Sequence, residues 1–261
     1  MKIKDIIEAI EEFAPPRLQE SYDNTGYQVG DPEAEAIGAL LCVDVTEDII
    51  DEAVAKGCNL IISHHPLIFR GLKSVTGANR PERALAKAIL SGVTVYSSHT
   101  ATDSTIGGVS WRMAEMLGLS DVSVLVPSPP GAETGLGTIG NLPAPMSAED
   151  FALKVKQTFG CASLRMSRPS NSQPVSRVAL CGGSADEFIP EAIAAGAQAY
   201  VTADCRLNRF LDHAHKIILL DAGHFETEQC TKQIFFDVIT EKFPNFALCY
   251  SEKEKNPIIY L

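Results

Sequence analysis

The stretch CVDVTEDIIDEAVAKGCNLIISHH, residues 42–65, contains one complete strand–helix–strand unit. It begins within the apolar run GALLCVDV, and residues 47–56 then have the spacing of an amphipathic helix. Gly57 closes that helix, and NLIIS forms a second apolar run. Two strands joined by a helix normally pair in parallel. The stretch therefore predicts a parallel sheet of the α/β class.

The same alternation continues along the chain on both sides of this unit. A helix is predicted over residues 2–13, because its apolar residues fall on one helical stripe. That stripe is Ile3, Ile6, Ile7, Ile10 and Phe13. A helix opened by Pro81 precedes the apolar run VTVYS, and further helices are predicted near 109–117 and 147–159. This order favours further βαβ units.

A turn-rich segment divides the chain almost in half. The sequence VPSPPGAETGLG, residues 126–137, is interpreted as a linker or a long surface loop. The expected organisation is a first α/β lobe over 1–127 and a second α/β lobe over 128–261. We expect the two lobes to form one domain overall, without an inserted third domain.

The second lobe contains a stretch similar to residues 42–65. CGGSADEFIPEAIAAGAQAYVTAD, residues 181–204, aligns with it without gaps at an offset of 139, and six of the 24 positions are identical. Each copy is followed by a strand that ends at a histidine, His99 in the first and His224 in the second. Duplication and the general likeness of βαβ units both explain the match. Either explanation predicts two related lobes with mostly parallel sheets.

Composition narrows the classes of function. The net charge of −11 and the pI near 5.0 argue against duplex nucleic acid as a partner. No apolar run approaches the roughly 18 residues of a membrane span, and the N-terminal segment lacks the features of an export signal. The seven cysteines form no CxxC pair, and several lie in apolar runs. A protein of the reducing cytoplasm is therefore predicted.

Polar side chains follow the predicted strands, at the edge where parallel sheets bind ligands. They are His64 and His65 after NLIIS, His99 and Asp103 after VTVY, Asp204 after AYVTA, and His224 and Glu228 after KIILL. Adjacent histidines within a strand would point to opposite faces, but beyond the strand end, before Pro66, they can turn toward separate atoms. His224 and Glu228 would share one face of a helix, because they lie four residues apart. Asp103 can add a carboxylate that bridges two ions.

These donors predict a dinuclear metal site between the lobes. The neutral imidazoles of His64, His65 and His224 and the carboxylates of Asp103 and Glu228 would leave two positive charges on a pair of divalent ions. A bridging hydroxide and an anionic substrate would neutralise them. Mixed nitrogen and oxygen ligands suit zinc, iron, manganese or cobalt. Because such ions lower the pKa of bound water, we expect hydrolysis of a nucleotide-like or other phosphorylated small molecule.

Some of these residues have a second interpretation. Asp103 could cap the segment that follows it, and His224 with Glu228 could be an ordinary helix start. Glu226 competes with Glu228 as a ligand. His99 could be a catalytic base or a residue that orients a metal ligand. The candidate substrate-binding residues are Asp204, Gly107 and Gly108.

Several longer motifs run nearly end to end through the chain. They are YDNTGYQVG, LCVDVT, NLIISHHPLIF, SSHTATDSTIGGVS, GLGTIGNL, RVALCGGSADEF, AYVTAD and LLDAGHFETE. In these motifs the sequence resembles the Ngg-interacting-factor-three-like family, also labelled type-two GTP cyclohydrolase I homologues. The resemblance implies two divalent ions and a ring-shaped homohexamer with sites facing an internal cavity. The implied metal ligands are His64, His65, Asp103, His224 and Glu228.

Three residues depart from the usual pattern of this family. An asparagine is usual where Ala101 stands, a glycine where Ala203 stands, and a histidine near Asn208. None of the three is a predicted ligand. The resemblance implies a hydrolase, with GTP ring opening as the activity in the family label. The alternative is a non-catalytic protein that binds metal for storage, delivery or regulation of a partner.

Overall fold

The computed structural model describes residues 1–169 and 173–261. The helices are α1 (Ile3–Phe13), α2 (Glu47–Ala55), α3 (Arg80–Ser91), α4 (Thr100–Ser104), α5 (Val109–Leu117), α6 (Ala148–Phe159), α7 (Ile189–Ala194), α8 (Leu207–His213), α9 (His224–Glu228) and α10 (Cys230–Lys242). The strands are β1 (Gly26–Val29), β2 (Ala39–Cys42), β3 (Leu60–Ser63), β4 (Thr94–Ser97), β5 (Ser120–Pro127), β6 (Gly135–Met146), β7 (Arg165–Met166), β8 (Val175–Ser184), β9 (Ala199–Ala203), β10 (Ile218–Asp221) and β11 (Leu248–Tyr250). Short 3-10 helices cover Pro16–Leu18 and Asp186–Phe188.

The chain divides into two compact units. The first comprises Met1–Thr105 and Thr231–Pro257, and the second comprises Ile106–Cys230 and Ile258–Leu261. These limits differ from the expected lobes over 1–127 and 128–261. The first unit takes in β11, which pairs in parallel with β2. Parallel strands are joined by long connections and so need not be neighbours in the sequence. A strand near the end of the chain can therefore lie beside one near its beginning.

The first unit contains a mostly parallel sheet covered by helices on both faces. In its described residues the strand order is β1-β4-β3-β2-β11, and only β1 runs antiparallel to its neighbour. Alternate strand residues point to opposite faces. Leu40, Ile61 and Val95 pack with residues of α2 and α3. Leu41, Ile62 and Tyr96 pack with residues of α1 and α10, so both faces are buried.

The second unit contains a mixed sheet. In its described part the strand order is β5-β6-β8-β9-β10-β7, and only the β8–β9 and β9–β10 pairings are parallel. The prediction of mostly parallel sheets therefore holds for the first sheet. In the second sheet only the three adjacent strands β8, β9 and β10 are parallel. α7 packs on this sheet through Ile189 and Ala192.

The turn-rich segment 126–137 is the connection of a hairpin rather than a linker between lobes. β5 and β6 pair antiparallel on either side of it. Gly135 has a φ of +145°, and a Cβ there would lie 2.1 Å from the carbonyl oxygen of Val126. Only glycine allows this close approach of the two strands. The proline- and glycine-rich composition thus reflects a tight connection within one sheet.

The predicted relation between the halves is confirmed in the order of elements. β2, α2, β3, α3 and β4 in the first unit correspond in order to β8, α7, β9, α8 and β10 in the second. In each unit the three strands are parallel and adjacent. The predicted helices over 2–13, 47–56, 109–117 and 147–159 are also present, with ends that agree within about two residues.

Two expectations from composition concern membranes and thiols. Within the described ranges, the structure has no helix of the length and apolarity that crossing a bilayer requires. Each of the seven cysteines, all of which lie in those ranges, is a free thiol. The sulfurs of Cys58 and Cys249 lie 3.7 Å apart.

Candidate metal centre

A first cluster of imidazoles lies in the first unit, beyond the carboxyl ends of β3 and β4. His64, His65 and His99 each offer a ring nitrogen, and these three nitrogens lie within 4.8 Å of one another. The Nε2 atom of His64 lies 3.7 Å from Oδ1 of Asp103. The structure therefore brings together four of the residues that the sequence predicted at these two strand ends.

The ring of His64 is completely buried and oriented by the main chain. Its Nδ1 lies 3.2 Å from the carbonyl oxygen of Ser98, to which it can donate a hydrogen bond. This bond assigns the proton to Nδ1 and directs the lone pair of Nε2 toward Asp103. A nitrogen acceptor beside a carboxylate oxygen is a suitable pair of ligands for a transition metal.

The ring of His65 is oriented by a carboxylate. Its Nδ1 lies 3.3 Å from Oδ1 of Asp44. The hydroxyl groups of Ser63 and Ser97 both donate to the carbonyl oxygen of His65, at 3.0 and 3.2 Å. These bonds hold the main chain just beyond the strand, and they allow the two adjacent histidines to present separate rings whose centroids lie 5.0 Å apart.

The ring of His99 faces a carboxylate from a distant loop. Its Nδ1 lies 2.8 Å from Oδ1 of Asp23, whose side chain has no exposed surface. Asp23 Oδ2 also accepts the main-chain N–H of Thr100 at 3.0 Å. Burial alone would raise the pKa of Asp23, but the bonds from His99 and Thr100 hold it well below its usual range. Sequence reasoning missed Asp23, because only the fold brings its loop to His99.

The end of β2 is held by a carboxylate from the C-terminal segment. Glu254 Oε1 accepts the main-chain N–H groups of Val43 and Asp44, at 2.7 and 2.9 Å. Its other oxygen accepts from Lys232 Nζ at 2.8 Å, and the side chain of Glu254 is only 4% exposed. Since Asp44 orients His65, this ion pair contributes to the position of the ring. The contact of Glu254 with the end of β2 could not be predicted from the sequence, because Glu254 lies 211 residues from Val43.

A second cluster lies in the second unit, beyond the ends of β9 and β10. α9 begins at His224, and His224 Nε2 lies 3.1 Å from Oε2 of Glu228. His224 Nδ1 lies 2.7 Å from Oδ2 of Asp204. The prediction of a helix that places His224 and Glu228 on one face is therefore confirmed. The carboxylate of Glu226, the competing candidate, lies close to the main chain of Gly223, where an added Cβ would lie 2.3 Å from Oε2.

The second cluster favours a positive charge at His224. Burial alone would lower the pKa of His224, but hydrogen bonds and charges from Asp204 and Glu228 outweigh it and raise the pKa to about 10. In the metal-free protein this charge is a proton. The same two carboxylates would stabilise a metal cation bound to the ring.

A close approach of β8 limits the space around this pair. Gly183 has a φ of +65°, and a Cβ there would lie 2.2 Å from Oε1 of Glu228 and 3.2 Å from Nε2 of His224. The glycine at the end of the predicted strand, before SADEF, is therefore required both by its conformation and by the side chains of Glu228 and His224 packed on it.

The two predicted glycines and the three departures from the family pattern lie outside the two clusters. Gly107 and Gly108 directly precede α5 in the second unit. Of the three departures from the family pattern, Ala101 and Ala203 are completely buried, whereas Asn208 is exposed on α8. Small apolar side chains at the first two positions fit buried sites, and none of the three belongs to a ligand pair described above.

Fold and clusters together define an α/β protein of two related units, each with imidazole and carboxylate side chains at the ends of its parallel strands. Residues 1–257 match the Duf34/NIF3 (NGG1p interacting factor 3) family. The chain belongs to this family.

Two relatives match over most of their length. A protein of Clostridium acetobutylicum named GTP cyclohydrolase 1 type 2 homolog is 34% identical over 230 residues, which cover 87% of this chain and 85% of that one. A protein of the same name from Lactococcus lactis is 33% identical over 266 aligned positions, covering 100% and 99%. The crystal structure of a Bacillus cereus protein related to NIF3 has the same fold, with a TM-score of 0.93, 24% identity and coverage of 100% and 99%.

Proposed function

We propose that this chain is a dinuclear metal-dependent hydrolase-like protein, resembling type-two GTP cyclohydrolase I homologues, that acts on a nucleotide or another phosphorylated small molecule. The proposed ligands of the two divalent ions are His64, His65, Asp103, His224 and Glu228. His99 is the proposed catalytic base, and Asp204, Gly107 and Gly108 remain proposed substrate-binding residues.

One observation supports the ligand assignment above all others. In each of the three proposed histidine ligands, Nδ1 is held by an oxygen of the protein. The three acceptors are the carbonyl of Ser98 and the carboxylates of Asp44 and Asp204. Metal-binding histidines characteristically have their second nitrogen fixed in this way, which sets the tautomer and raises the basicity of the ligating nitrogen. Nε2 is then the nitrogen that would bind zinc, iron or manganese.

The chemistry proposed for the site combines the ions with side chains of the first unit. Two bound ions would supply a water molecule of lowered pKa and positive charge for a phosphate or carbonyl oxygen. His99 would accept and return a proton at Nε2 while Nδ1 donates to the buried carboxylate of Asp23, which holds the ring in position. Arg80, which lies 3.5 Å from Asp44, would attract an anionic substrate.

Metal analysis of His64→Ala tests this proposal. The wild-type protein should carry two ions per chain and hydrolyse at least one member of a panel of nucleotides and phosphoesters. His64→Ala should lose metal and turnover together, while its circular dichroism spectrum stays that of the wild type. His213→Ala, which removes a histidine of α8 outside both clusters, should retain both. Turnover that persists in a metal-free His64 variant would contradict the proposal.

A second candidate function is non-catalytic metal binding for storage, delivery or regulation of a partner. The net charge of −11 favours it, because an acidic protein attracts cations and repels anionic substrates. This function predicts exchangeable metal and no turnover of phosphoesters, nucleotides or cyclic amides. A single efficient substrate would exclude it.

We also propose that the chain assembles as a homohexameric ring in the cytoplasm, with neither a membrane nor nucleic acid as a partner. The family resemblance supports the ring, and the free thiols support a reducing compartment. Light scattering of the purified protein should give six times the chain mass of 28.1 kDa. A monomer at micromolar concentration would contradict the assembly.

A further inference from the structure

A buried carboxylate at the end of β10 links the main chain beside both members of the Asp204–His224 pair. Asp221 Oδ2 accepts the N–H of Cys205 at 2.9 Å, and Oδ1 accepts the N–H of Gly223 at 3.2 Å. Cys205 directly follows Asp204, and Gly223 directly precedes His224. We infer that Asp221 is a positioning residue that sets the geometry of the Asp204–His224 pair, an inference that rests on the proposed function.

The two strands leave the regular sheet at this point. The N–H of Ala222 still donates to the carbonyl of Thr202 at 2.9 Å, in continuation of the β9–β10 pairing. Beyond it, Asp204 has a φ of +53° and Gly223 has a φ of +87°. A left-handed conformation at a non-glycine residue costs on the order of 1–3 kcal/mol and persists only where neighbouring contacts hold it. The two bonds to Asp221 are such contacts, one on each strand.

A third strand fixes the carboxylate itself. Arg165 of β7 lies opposite Asp221 in the antiparallel β7–β10 pairing, and its guanidinium donates to Oδ2 of Asp221. The same nitrogen of Arg165 donates to the carbonyl oxygen of Cys205 at 2.9 Å. Asp221 is 6% exposed, whereas the side chain of Arg165 is 57% exposed. The carboxylate of Asp221 is therefore buried against a guanidinium and two main-chain donors, and its position is determined from three sides.

The geometry of the Asp204–His224 pair determines how His224, a proposed metal ligand, presents its second ring nitrogen. Asp204 holds His224 Nδ1 at 2.7 Å, and the ring then presents Nε2 to Glu228 at 3.1 Å. A shift of either main-chain segment would turn the ring and separate the two ligand atoms. Loss of residues that orient a ligand typically lowers metal affinity about 10–100-fold. We expect a loss of this size when Asp221 no longer binds both N–H groups.

Asp221→Asn tests the inference, because asparagine offers one oxygen acceptor and places an amide NH₂ against the other N–H donor. The first measurement is the low-field ring N–H resonance of His224 in metal-free protein, assigned by its absence in His224→Gln. Asp221→Asn should weaken or abolish this resonance and should lower Zn²⁺ affinity about 10–100-fold in a chelator competition. If Asp221→Asn does not fold, Arg165→Gln, which retains the carboxylate, should cause a smaller loss of the same resonance.

Glu82→Gln is the matched control. Glu82 is a buried carboxylate that accepts the main-chain N–H groups of Thr76 and Ala78 in the first unit, at 2.8 and 3.1 Å. Its substitution should leave the His224 resonance unchanged. A His224 resonance and Zn²⁺ affinity that stay at wild-type values in Asp221→Asn would overturn the inference while the proposed function stands. A different outcome is that Asp221→Asn loses the His224 resonance while the wild-type protein itself binds no Zn²⁺. That outcome would support the inference and overturn the proposed function.

Discussion

Nδ1 of His99 and Oδ1 of Asp23 lie 2.8 Å apart although the two residues are separated by 76 positions in the sequence. His64, in the same cluster, donates instead to the carbonyl oxygen of Ser98. Each acceptor fixes the orientation and the tautomer of its ring, because Nδ1 then carries the proton. The Asp23 carboxylate thereby leaves Nε2 of His99 for the proposed proton transfer, as the Ser98 carbonyl leaves Nε2 of His64 for the proposed metal ion.

Asp23→Asn should therefore lower kcat without removing metal. Loss of a general acid–base group typically costs about 10²–10⁴-fold in rate, and we expect the lower end because the imidazole itself remains. Steady-state kinetics and metal content would be measured on the same sample. His99→Gln, which removes the imidazole, should reduce kcat further, and the double variant should show no loss beyond that of His99→Gln. Metal loss in Asp23→Asn, or independent effects of the two substitutions, would argue against this role.

Gly183→Ala should disable the second cluster. The new Cβ would meet Oε1 of Glu228 at 2.2 Å, so the carboxylate must move away from His224. Metal content measured by mass spectrometry should fall. Gly196→Ala is the control, because Gly196 has a φ of +78° but no atom within 4 Å of an added Cβ. It should cost about 1–2 kcal/mol of stability through backbone strain and leave metal content unchanged; equal metal content in both variants would refute the steric explanation.

Glu254→Gln should destabilise the first unit and weaken metal binding together. The substitution leaves Lys232 and the N–H groups of Val43 and Asp44 with a poorer acceptor in a buried place. We expect a loss of about 1–3 kcal/mol in the free energy of unfolding, measured in urea. The affinity for Zn²⁺ should also fall, because Asp44 orients His65. Glu252→Gln, at a side chain 83% exposed, should change neither quantity, and wild-type affinity in Glu254→Gln would disprove the link to His65.

Glu52 should make stability depend on pH. Burial raises the pKa of Glu52, but hydrogen bonds from the Ser251 hydroxyl, the Glu252 N–H and Lys56 outweigh it and lower the pKa to about 2. Because the folded state binds its proton less readily than the unfolded chain, the stabilisation is complete above the unfolded pKa of about 4.3 and is lost as pH falls toward 2. Glu52→Gln should cost about 1–3 kcal/mol at pH 7.

The difference between Glu52→Gln and the wild type should then shrink below about pH 4.3. Urea unfolding at a series of pH values measures it. A difference that stays constant down to pH 3 would show that the carboxylate charge is not the source of the stabilisation.

Local patterns in the sequence were sufficient for most helices and for the central strands. α2 starts where Thr46 accepts a hydrogen bond from the N–H of Ile49, and α3 ends where Gly92 adopts a φ of +65°. Caps, glycines and apolar periodicity are properties of neighbouring residues, so they can be recognised without the fold. The i, i+4 pair His224 and Glu228 was predictable for the same reason.

Strand pairing beyond the βαβ units was not predictable in this way. Residues 126–137 have the composition of a linker or loop although they connect the paired strands β5 and β6, and β11 joins the first sheet from the far end of the chain. Whether a short apolar run pairs, and with which neighbour, depends on segments that meet only when the core forms. The limits of the two units follow from these pairings.

The sequence by itself determined that histidines and carboxylates follow the ends of parallel strands, because strand ends and helical spacing are local. Only the tertiary structure decided how each ring is held: His99 by Asp23, His65 by Asp44, and the Asp204–His224 pair by Asp221. Hydrogen-bond partners of this kind come from loops far apart in the chain, and burial of those loops against the sheet brings the oxygen to the ring.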